Sequence, residues 1–244
     1  MEIAVVAGPS KAQVNKAGQT VRRWIRAGPD RDIDDPHVDR ALQVILDHRA
    51  AYQSPLAKAT MGLRSMVRSE GCRVEVSQRL KRMTTIIDKL MREPTMALGN
   101  MQDIGGCRAV LDSIDELRSV EQRLKKNRPP LRVSDYISQP RASGYRGVHV
   151  VVAYPDKADQ DRGIEVQLRT RTMHEWAITV ERMSGRLQHD LKSGYGPAEV
   201  LELLGAVSEA MAIEERGGVV GQDLIQRMQQ LRAAAVPFII GGQA

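Results

Sequence analysis

The chain has 244 residues, an apolar content of 42% and a net charge of +6, which predict a folded protein with an anionic partner such as nucleotide phosphates or RNA. It contains no apolar run of about eighteen residues, which excludes a membrane-spanning helix, and its two cysteines exclude a disulfide framework. We expect a reducing, cytoplasmic location. The N-terminal "MEIAVVAGPSK" carries Glu2 and no basic segment, so we expect no signal peptide.

The first predicted elements are helices between about Pro36 and Ser69, with apolar residues at three- and four-residue spacings and Pro55 starting a second helix. The stretch "CRVEVSQRLK" alternates in polarity like a strand and places Val74 and Val76 on one face. "MTTIIDKLMRE" then predicts a helix that ends before Pro94.

A glycine pair opens the next predicted strand, "GGCRAVLD". "SIDELRSVEQRLKK" predicts a helix with a capping box made by Ser113 and Glu116. "VSDYIS", "GVHVVVAYP" and "GIEVQLRTR" predict three further strands. From Thr172 onward three helical stretches follow, with breaks near residues 194–197 and 217–221. This order predicts an α+β fold: one domain with a mixed core of strands and helices and with helical flanks.

Two of the strand regions carry the residue types that bind metal and phosphate. In "GIEVQLRT", strand alternation places Glu165, Gln167 and Arg169 on the face opposite the apolar side chains. In "MQDIGGCRAV", Asp103 precedes the glycine pair and Arg108 lies within the strand; a carboxylate at a strand edge suits Mg²⁺ and bound phosphates. Taken alone, each pattern is also typical of a surface ion pair or a glycine turn.

The segment "RLKRMTTIIDK" concentrates cations around a helix start. Arg79 and Lys81 are two residues apart, whereas Thr85 and Lys89 are four apart and share a helix face. This arrangement is typical of a polyphosphate site, and equally of a solvated basic helix. It lacks the spacing of a Walker loop.

The segment "DYISQPRASGYRGVH" combines a flexible turn with flat and charged side chains. Gly144 permits a tight turn, Tyr145 offers a flat ring, Arg141 and Arg146 supply charge, and His149 begins the next strand. These residue types predict a ligand with an aromatic ring and negative charge.

Taken in chain order, the four blocks "RLKRMTTIIDK", "MQDIGGCRAV", "DYISQPRASGYRGVH" and "GIEVQLRT" resemble the synthetase domain of the RelA/SpoT family of alarmone synthetases, and the similarity covers about residues 70–180. The resemblance implies a mixed-sheet, nucleotidyltransferase-like core at residues 71–182, with helical extensions at 1–70 and 183–244. It also implies an ATP pyrophosphokinase. Such enzymes transfer the β,γ-pyrophosphate of ATP to a ribose 3′-hydroxyl, usually of GDP or GTP, and release AMP.

The resemblance also implies a role for each motif residue. ATP would be bound by Arg79, Lys81, Thr85, Lys89 and Arg108. Mg²⁺ would be held by Asp103 and Glu165, and Glu165 could accept the proton of the attacking hydroxyl. Tyr145 would stack on the acceptor base, and the remaining acceptor contacts would come from Arg141, Arg146, His149, Gln167 and Arg169. The catalytic group would comprise Asp103, Glu165, Arg108 and His149.

Departures from the family pattern concentrate on the acceptor side and leave the acceptor open. Arg141 replaces a lysine, and Glu181-Arg182 stands where a Glu-His pair is common. A toxin that modifies the 3′ end of tRNA or makes adenosine alarmones is therefore a second hypothesis, with "QTVRRWIR" and "RLKKNRPPLR" as docking patches or ordinary solvated faces. A catalytically dead RNA-binding module is a third hypothesis.

The sequence also leads to expectations about a hydrolase domain, a regulatory tail and partner proteins. The hydrolase half of the family needs an HD-x-x-ED motif, whereas His189-Asp190 lacks the second carboxylate pair and is interpreted as a pair on a helix surface. We therefore expect a stand-alone synthetase without a regulatory tail. An antitoxin partner and a homo-oligomer are both compatible with the sequence.

Overall fold

The computed structural model describes residues 8–30, 32 and 34–241 of the chain. The N-terminal apolar run considered above as a signal peptide lies mainly outside these residues. Three helices come first: α1 (Lys11–Arg26), α2 (Pro36–Ala50) and α3 (Gln53–Ser69). Ser10 and Gln13 form a capping box at the start of α1, a helix that the sequence pattern did not predict.

Strands and helices then alternate before three C-terminal helices. In chain order they are β1 (Val76–Leu80), α4 (Met83–Arg92), β2 (Gly105–Leu111), α5 (Ile114–Asn127), β3 (Pro130–Asp135), β4 (Val148–Pro155), β5 (Asp161–Thr170), α6 (Arg171–Leu187), α7 (Ala198–Glu215) and α8 (Gln222–Gly241). Short 3₁₀ turns lie at Gly28–Asp30, Leu98–Asn100 and Leu191–Ser193. The breaks between the last three helices agree with the prediction.

The five strands form one mixed sheet in the order β1-β2-β5-β4-β3. β2 and β5 are parallel, and the other neighbouring pairs are antiparallel. The register sets Gly106 beside Glu165, and Arg108 beside Gln167, which in turn pairs with His149 on β4. This topology confirms the predicted α+β fold and brings the polar residues of three strands onto one face.

The opposite face of the sheet forms the main hydrophobic core. Ile164, Val166 and Leu168 of β5 are buried there, as predicted from strand alternation. Helices α3 and α5 cover this face, and α1 and α2 add Val14 and Ile45 to the same cluster. Because residues of one strand alternate between faces, packing the apolar side leaves the polar side of β5 for the site.

A second cluster joins the C-terminal helices to the loop before β4. Its buried members are Tyr145, Trp176, Ala177, Val180, Leu191, Val200, Leu204 and Ala235. The Trp176 indole N–H donates to the Leu204 carbonyl at 3.2 Å, which ties α6 to α7. The loop that carries Tyr145 is therefore held from the outside by α6 and α7.

Several local predictions need correction. The Glu116 side chain accepts from the Asp112 N–H at 2.9 Å, so the predicted capping box is only half formed, although Ser113 does cap α5. β1 begins at Val76 and leaves Val74 outside, and α3 begins before Pro55. β3 ends at Asp135, because its carboxylate accepts from the N–H groups of residues 137 and 138 and turns the chain. Among the helices of residues 8–30, 32 and 34–241, none combines the length and the apolar character that a membrane span requires.

Candidate active site

Asp103 lies between two lysines at the β1–β2 end of the polar face. Lys81 Nζ is 2.7 Å and Lys89 Nζ is 3.1 Å from its two carboxylate oxygens. The Lys81 N–H donates to the Ile104 carbonyl at 2.8 Å, which fixes the segment after β1 against the start of β2. Burial raises the pKa of Asp103, but the two ammonium groups outweigh it and hold that pKa below its usual value. Asp103 is therefore a carboxylate at neutral pH.

The residues of β5 form a continuous hydrogen-bonded row. Gln167 donates to Glu165 Oε1 at 2.6 Å, and its carbonyl oxygen accepts from Arg169 at 3.0 Å. Arg108 of β2 donates to the same Gln167 oxygen at 3.3 Å. The amide of Gln167 therefore connects the carboxylate to two guanidinium groups, and it fixes their positions relative to one another.

Tyr145 and His149 extend this row to β4. Arg169 Nε donates to the Tyr145 hydroxyl oxygen at 3.1 Å, and that oxygen lies 2.6 Å from His149 Nε2. His149 Nδ1 lies 3.5 Å from Glu165 Oε1. Burial lowers the pKa of His149, so the imidazole is neutral near pH 7. The tyrosine hydroxyl then donates to Nε2, and the Nδ1 proton faces Glu165.

Glu165 remains ionised despite its burial. Burial opposes the charged form, whereas hydrogen bonds from His149 and Gln167 and the nearby Lys89 ammonium favour it, and the pKa falls below its usual value. The Glu165 carboxylate in turn opposes ionisation of Asp103. The two carboxylates therefore act on each other across the site.

The remaining donor-side residues lie around this centre. Arg79 is exposed on β1 and pairs in register with Gly106, which pairs with Glu165. Thr85 is partly exposed on α4, four residues before Lys89. The structure therefore brings these two residues to the side of the site that contains Asp103.

Tyr145 is less accessible than the stacking hypothesis expects. Tyr145 is only 1% exposed to solvent, and the Arg169 guanidinium lies 5.1 Å from the centroid of its ring. Arg141 lies 5.6 Å from the same centroid and donates to the Tyr136 hydroxyl at 2.9 Å. A nucleobase can reach the Tyr145 ring only if a covering side chain moves, and the stacking role stays a prediction.

Arg146 is not brought together with the other acceptor residues. Its guanidinium is buried and pairs with Glu215 of α7 at 2.7 Å. Thr170 Oγ1 also donates to Glu215. These contacts give Arg146 a role in docking α7 to the end of β5, so its predicted contact with the acceptor has no support in the geometry.

Sequence reasoning missed Lys192 and misplaced its neighbours. His189 and Asp190 lie between α6 and the 3₁₀ turn Leu191–Ser193, where Asp190 caps that turn, rather than on a helix surface. Lys192 Nζ pairs with Glu181 at 2.7 Å and lies 5.1 Å from the Tyr145 ring centroid. Lys192 is outside the four motifs, so no sequence signal indicated it.

The carboxylates of Asp103 and Glu165 are suitable ligands for magnesium. Within residues 8–30, 32 and 34–241, no group of three or more histidine, cysteine, aspartate and glutamate side chains could hold a metal ion. Mg²⁺ does not need such a cage, because it is commonly bound by one or two carboxylates together with water and substrate phosphates. Asp103 and Glu165 provide two carboxylates that stay ionised at neutral pH.

Comparison with known proteins identifies the family. Residues 78–184 match the region found in RelA and SpoT proteins. The GTP pyrophosphokinase YjbM of Bacillus subtilis (strain 168) is 31% identical over 162 residues, which cover 58% of this chain and 76% of that protein. The chain belongs to the RelA/SpoT family. The resemblance based on four motifs is thereby confirmed, and the expected enzyme class agrees with this relative's name.

Solved structures agree with this assignment. The small alarmone synthetase 1 of Bacillus subtilis bound to its product pppGpp has a TM-score of 0.57 and 26% identity, over 76% of this chain and 95% of that chain. The small alarmone synthetase 2 of the same organism has a TM-score of 0.60 over 75% of this chain and 97% of that chain. At 20% identity, the second likeness shows the fold alone.

Proposed function

We propose that this RelA/SpoT protein transfers the β,γ-pyrophosphate of ATP to the ribose 3′-hydroxyl of GDP or GTP. The observation that carries the proposal is the polar sheet face, where Asp103 between two lysines lies beside the row Glu165, Gln167 and Arg169. Phosphoryl-type transfer depends mainly on positioning and charge neutralisation, and this face offers both. The names of YjbM and of the pppGpp-bound synthetase support the guanosine acceptor.

The donor side would bind ATP through Arg79, Lys81, Thr85, Lys89 and Arg108. Asp103 and Glu165 would hold magnesium, which when bound neutralises charge on the transferring phosphates. Lys81 and Lys89 already lie within hydrogen-bond distance of Asp103, so their ammonium groups are held at the place where ATP phosphates would enter. Their pairing with a carboxylate keeps them there in the absence of ATP.

The acceptor side would activate and orient the attacking hydroxyl. The acceptor O3′ forms a bond to the β-phosphorus of ATP, while the bond from that phosphorus to the oxygen bridging to the α-phosphorus breaks. AMP leaves with the bridging oxygen and its charge, and the hydroxyl proton goes to an oxygen of Glu165. A carboxylate of lowered pKa is a modest base, so its main contribution would be to orient the hydroxyl and to accept the proton late. Arg108 and Arg169 would stabilise the charge on the transferring group.

The alternative acceptor is the 3′ end of tRNA, which the net charge of +6 favours. The structure weakens one of the two proposed docking patches. Arg22 of α1 donates to the carbonyls of Leu90 and Met96 at 3.0 and 2.9 Å, so it connects α1 to α4 instead of facing solvent as a free cation. An antitoxin partner, a homo-oligomer and an RNA-binding module without activity remain predictions.

The proposal is tested with purified protein, Mg²⁺ and ATP labelled at the γ-phosphate, offered GDP, GTP, ATP or bulk tRNA in parallel. We expect the label to move to GDP or GTP, AMP to be released, and excess EDTA to stop both. Glu165→Gln should lower the rate by roughly two to four orders of magnitude, by analogy with other preorganised charged sites. Label on tRNA would establish the alternative acceptor. No transfer to any acceptor by the wild-type protein would refute the enzymatic proposal.

A further inference from the structure

Lys192 lies beside the Tyr145 ring and is held there by the fold. Its neighbour Leu191 is fully buried in the cluster that contains Tyr145. The Ser143 hydroxyl donates to the Lys192 carbonyl at 2.9 Å, which ties the 3₁₀ turn to the loop that carries Tyr145. The side chain of Lys192 is only 24% exposed. Its position is therefore set by the fold and differs from that of an ordinary surface lysine.

The Lys192 ammonium lies in a strongly positive environment. Burial and the guanidiniums of Arg169 and Arg108 lower its pKa to about 8, although Glu181 opposes the shift. A cation placed beside two other cations is unfavourable unless an anion binds among them. A concentration of like charge in a cleft is typical of a site for an anionic ligand.

Two buried nitrogen atoms near these cations have no partner among the described residues, and one of them is a donor that suits an anionic ligand. Arg169 is fully buried, and its Nη1 has no hydrogen-bond partner among the described residues. His174 Nδ1 is also buried and lacks a partner within the described part of the chain, and burial, together with the charges of Arg108 and Arg169, lowers the pKa of its ring. Buried polar groups are normally paired, so an oxygen-rich anion bound beside Lys192 would satisfy the Arg169 N–H that the described residues leave open.

We propose that Lys192 binds the 5′-phosphates of the acceptor nucleotide, as a residue that acts on the acceptor and not on ATP. This inference rests on the proposed function. The order β1-β2-β5-β4-β3 separates the two substrates, because Lys81, Lys89 and Asp103 lie at the β1–β2 end. Lys192 instead contacts Tyr145, which adjoins β4 and β5.

Glu181 holds Lys192 in place before the acceptor arrives. The two side chains pair at 2.7 Å, and Glu181, on α6, is 49% exposed on its side chain. An exposed carboxylate can turn away into solvent at little cost, since exposed ion pairs contribute little to stability. A phosphate oxygen can therefore replace Glu181 as the partner of Lys192.

The test compares Lys192→Met and Lys192→Arg with Lys157→Met, a matched change at an exposed lysine in the turn between β4 and β5. Pyrophosphate transfer is measured with GDP varied at saturating ATP, and with ATP varied at saturating GDP. A hydrogen bond to a charged group contributes about 1.5–3 kcal/mol, so Lys192→Met should raise KM for GDP by about tenfold or more. KM for ATP should change by less than about twofold, and Lys192→Arg should recover most of the GDP affinity.

Guanosine, which lacks the 5′-phosphates, separates phosphate binding from a general distortion of the site. Lys192→Met should change kcat/KM for guanosine by less than about twofold, because the lysine has no phosphate to bind there. An equal loss with GDP and guanosine, or an equal rise of KM for ATP and GDP, would overturn the assignment. So would a GDP KM unchanged by Lys192→Met.

The pH dependence provides an independent readout. In the wild type, kcat/KM for GDP should fall as pH rises through about 8, where the free ammonium loses its proton. Lys192→Arg should keep its plateau to higher pH. The charged and titratable groups that act on Lys192, or on which it acts, are Glu181 on α6, Arg169 on β5, Arg108 on β2 and His149 on β4. The lowered pKa of Glu181 keeps it ionised, and the lowered pKa of His149 keeps it neutral, across this range.

A direct binding measurement keeps this proposal distinct from the proposed function. GDP binding is followed by calorimetry without ATP, where Lys192→Met should weaken binding about tenfold or more and Lys157→Met should not. If the wild type transfers no label yet binds GDP through Lys192, the proposed reaction fails and the assignment of Lys192 stands. If the wild type transfers label and Lys192→Met binds GDP as tightly as the wild type, the proposed reaction stands and the assignment of Lys192 fails.

Discussion

Replacing Tyr145 by phenylalanine distinguishes a ring that only stacks from a hydroxyl that organises the site. Phenylalanine retains the ring, so a purely stacking tyrosine would tolerate the change. The structure instead places the hydroxyl oxygen 3.1 Å from Arg169 Nε and 2.6 Å from His149 Nε2, with both partners almost completely buried. Tyr145→Phe would therefore leave a buried cation and a buried imidazole each short of one partner.

The magnitude follows from these two losses. A buried group left without its hydrogen bond costs about 1–3 kcal/mol, and more when it is charged, so we expect Tyr145→Phe to destabilise the protein by about 3 kcal/mol. At roughly 2–4 °C per kcal/mol for a chain of this size, the melting temperature should fall by about 6–12 °C. The Arg169 and His149 side chains also position Gln167 and Glu165, so kcat/KM for transfer should fall by about tenfold or more.

The assay combines thermal and urea unfolding with steady-state transfer of labelled pyrophosphate. Tyr195→Phe is the matched control, because Tyr195 is 60% exposed and the same change should have little effect there. A Tyr145→Phe protein with the stability and the activity of the wild type would refute the hydrogen-bonded role of the hydroxyl. It would leave stacking as the function of the ring.

Three further substitutions test other parts of the structure. Gly144→Ala should destabilise the protein by about 2 kcal/mol or more, since Gly144 has φ +86° and an added Cβ would lie 2.8 Å from the Leu204 carbonyl oxygen. Urea unfolding measures this loss, and an unchanged urea midpoint would contradict the prediction. Arg146→Met should lower the free energy of unfolding by about 3–5 kcal/mol, because it leaves the buried carboxylate of Glu215 without its cation. The double variant with Glu215→Gln should recover part of that stability. Equal losses in the single and the double variant would argue against the ion pair. The pKa of buried His48 is lowered from 6.5 to about 4, so the unfolded chain binds a proton at a higher pH than the folded protein does. The free energy of unfolding should therefore fall by up to about 3 kcal/mol between pH 6.5 and 4. His48→Leu should remove that part of the pH dependence, and parallel curves of stability against pH for the two proteins would refute it.

The alternation within β5 was enough to predict both of its faces. Glu165, Gln167 and Arg169 share the polar side because side chains in a strand alternate, and this holds whatever packs around the strand. The pairing of Asp103 with Lys81 and Lys89 was not predicted, and it depends on β1 and β2 being neighbours and on α4 following β1. Local periodicity therefore predicted which residues share the polar face of β5, and the roles of the motif residues stay predictions.

The parts that were missed depend on contacts between distant segments. The partner of Arg146 is 69 residues further along the chain, and Lys192 reaches Tyr145 only because α6 and α7 fold back over the loop. Spacing along the sequence does not encode such packing. Helix α1 is a different case, because its buried residues Val14, Ala17, Gly18 and Val21 do follow helical spacing and Ser10 with Gln13 marks its start, so the sequence contained the signal for this helix.

The parallel pairing of β2 with β5 has a consequence for the order in which the protein becomes active. β1, α4 and β2 are close in sequence, so the lysines and Asp103 can assemble early from local contacts. Glu165 joins them only when β5, some fifty residues beyond β2, inserts between β2 and β4. During synthesis on the ribosome, a chain that does not yet include β5 contains Lys81, Lys89 and Asp103 without Glu165. If the proposed function holds, such a chain would lack the second carboxylate and would not transfer pyrophosphate.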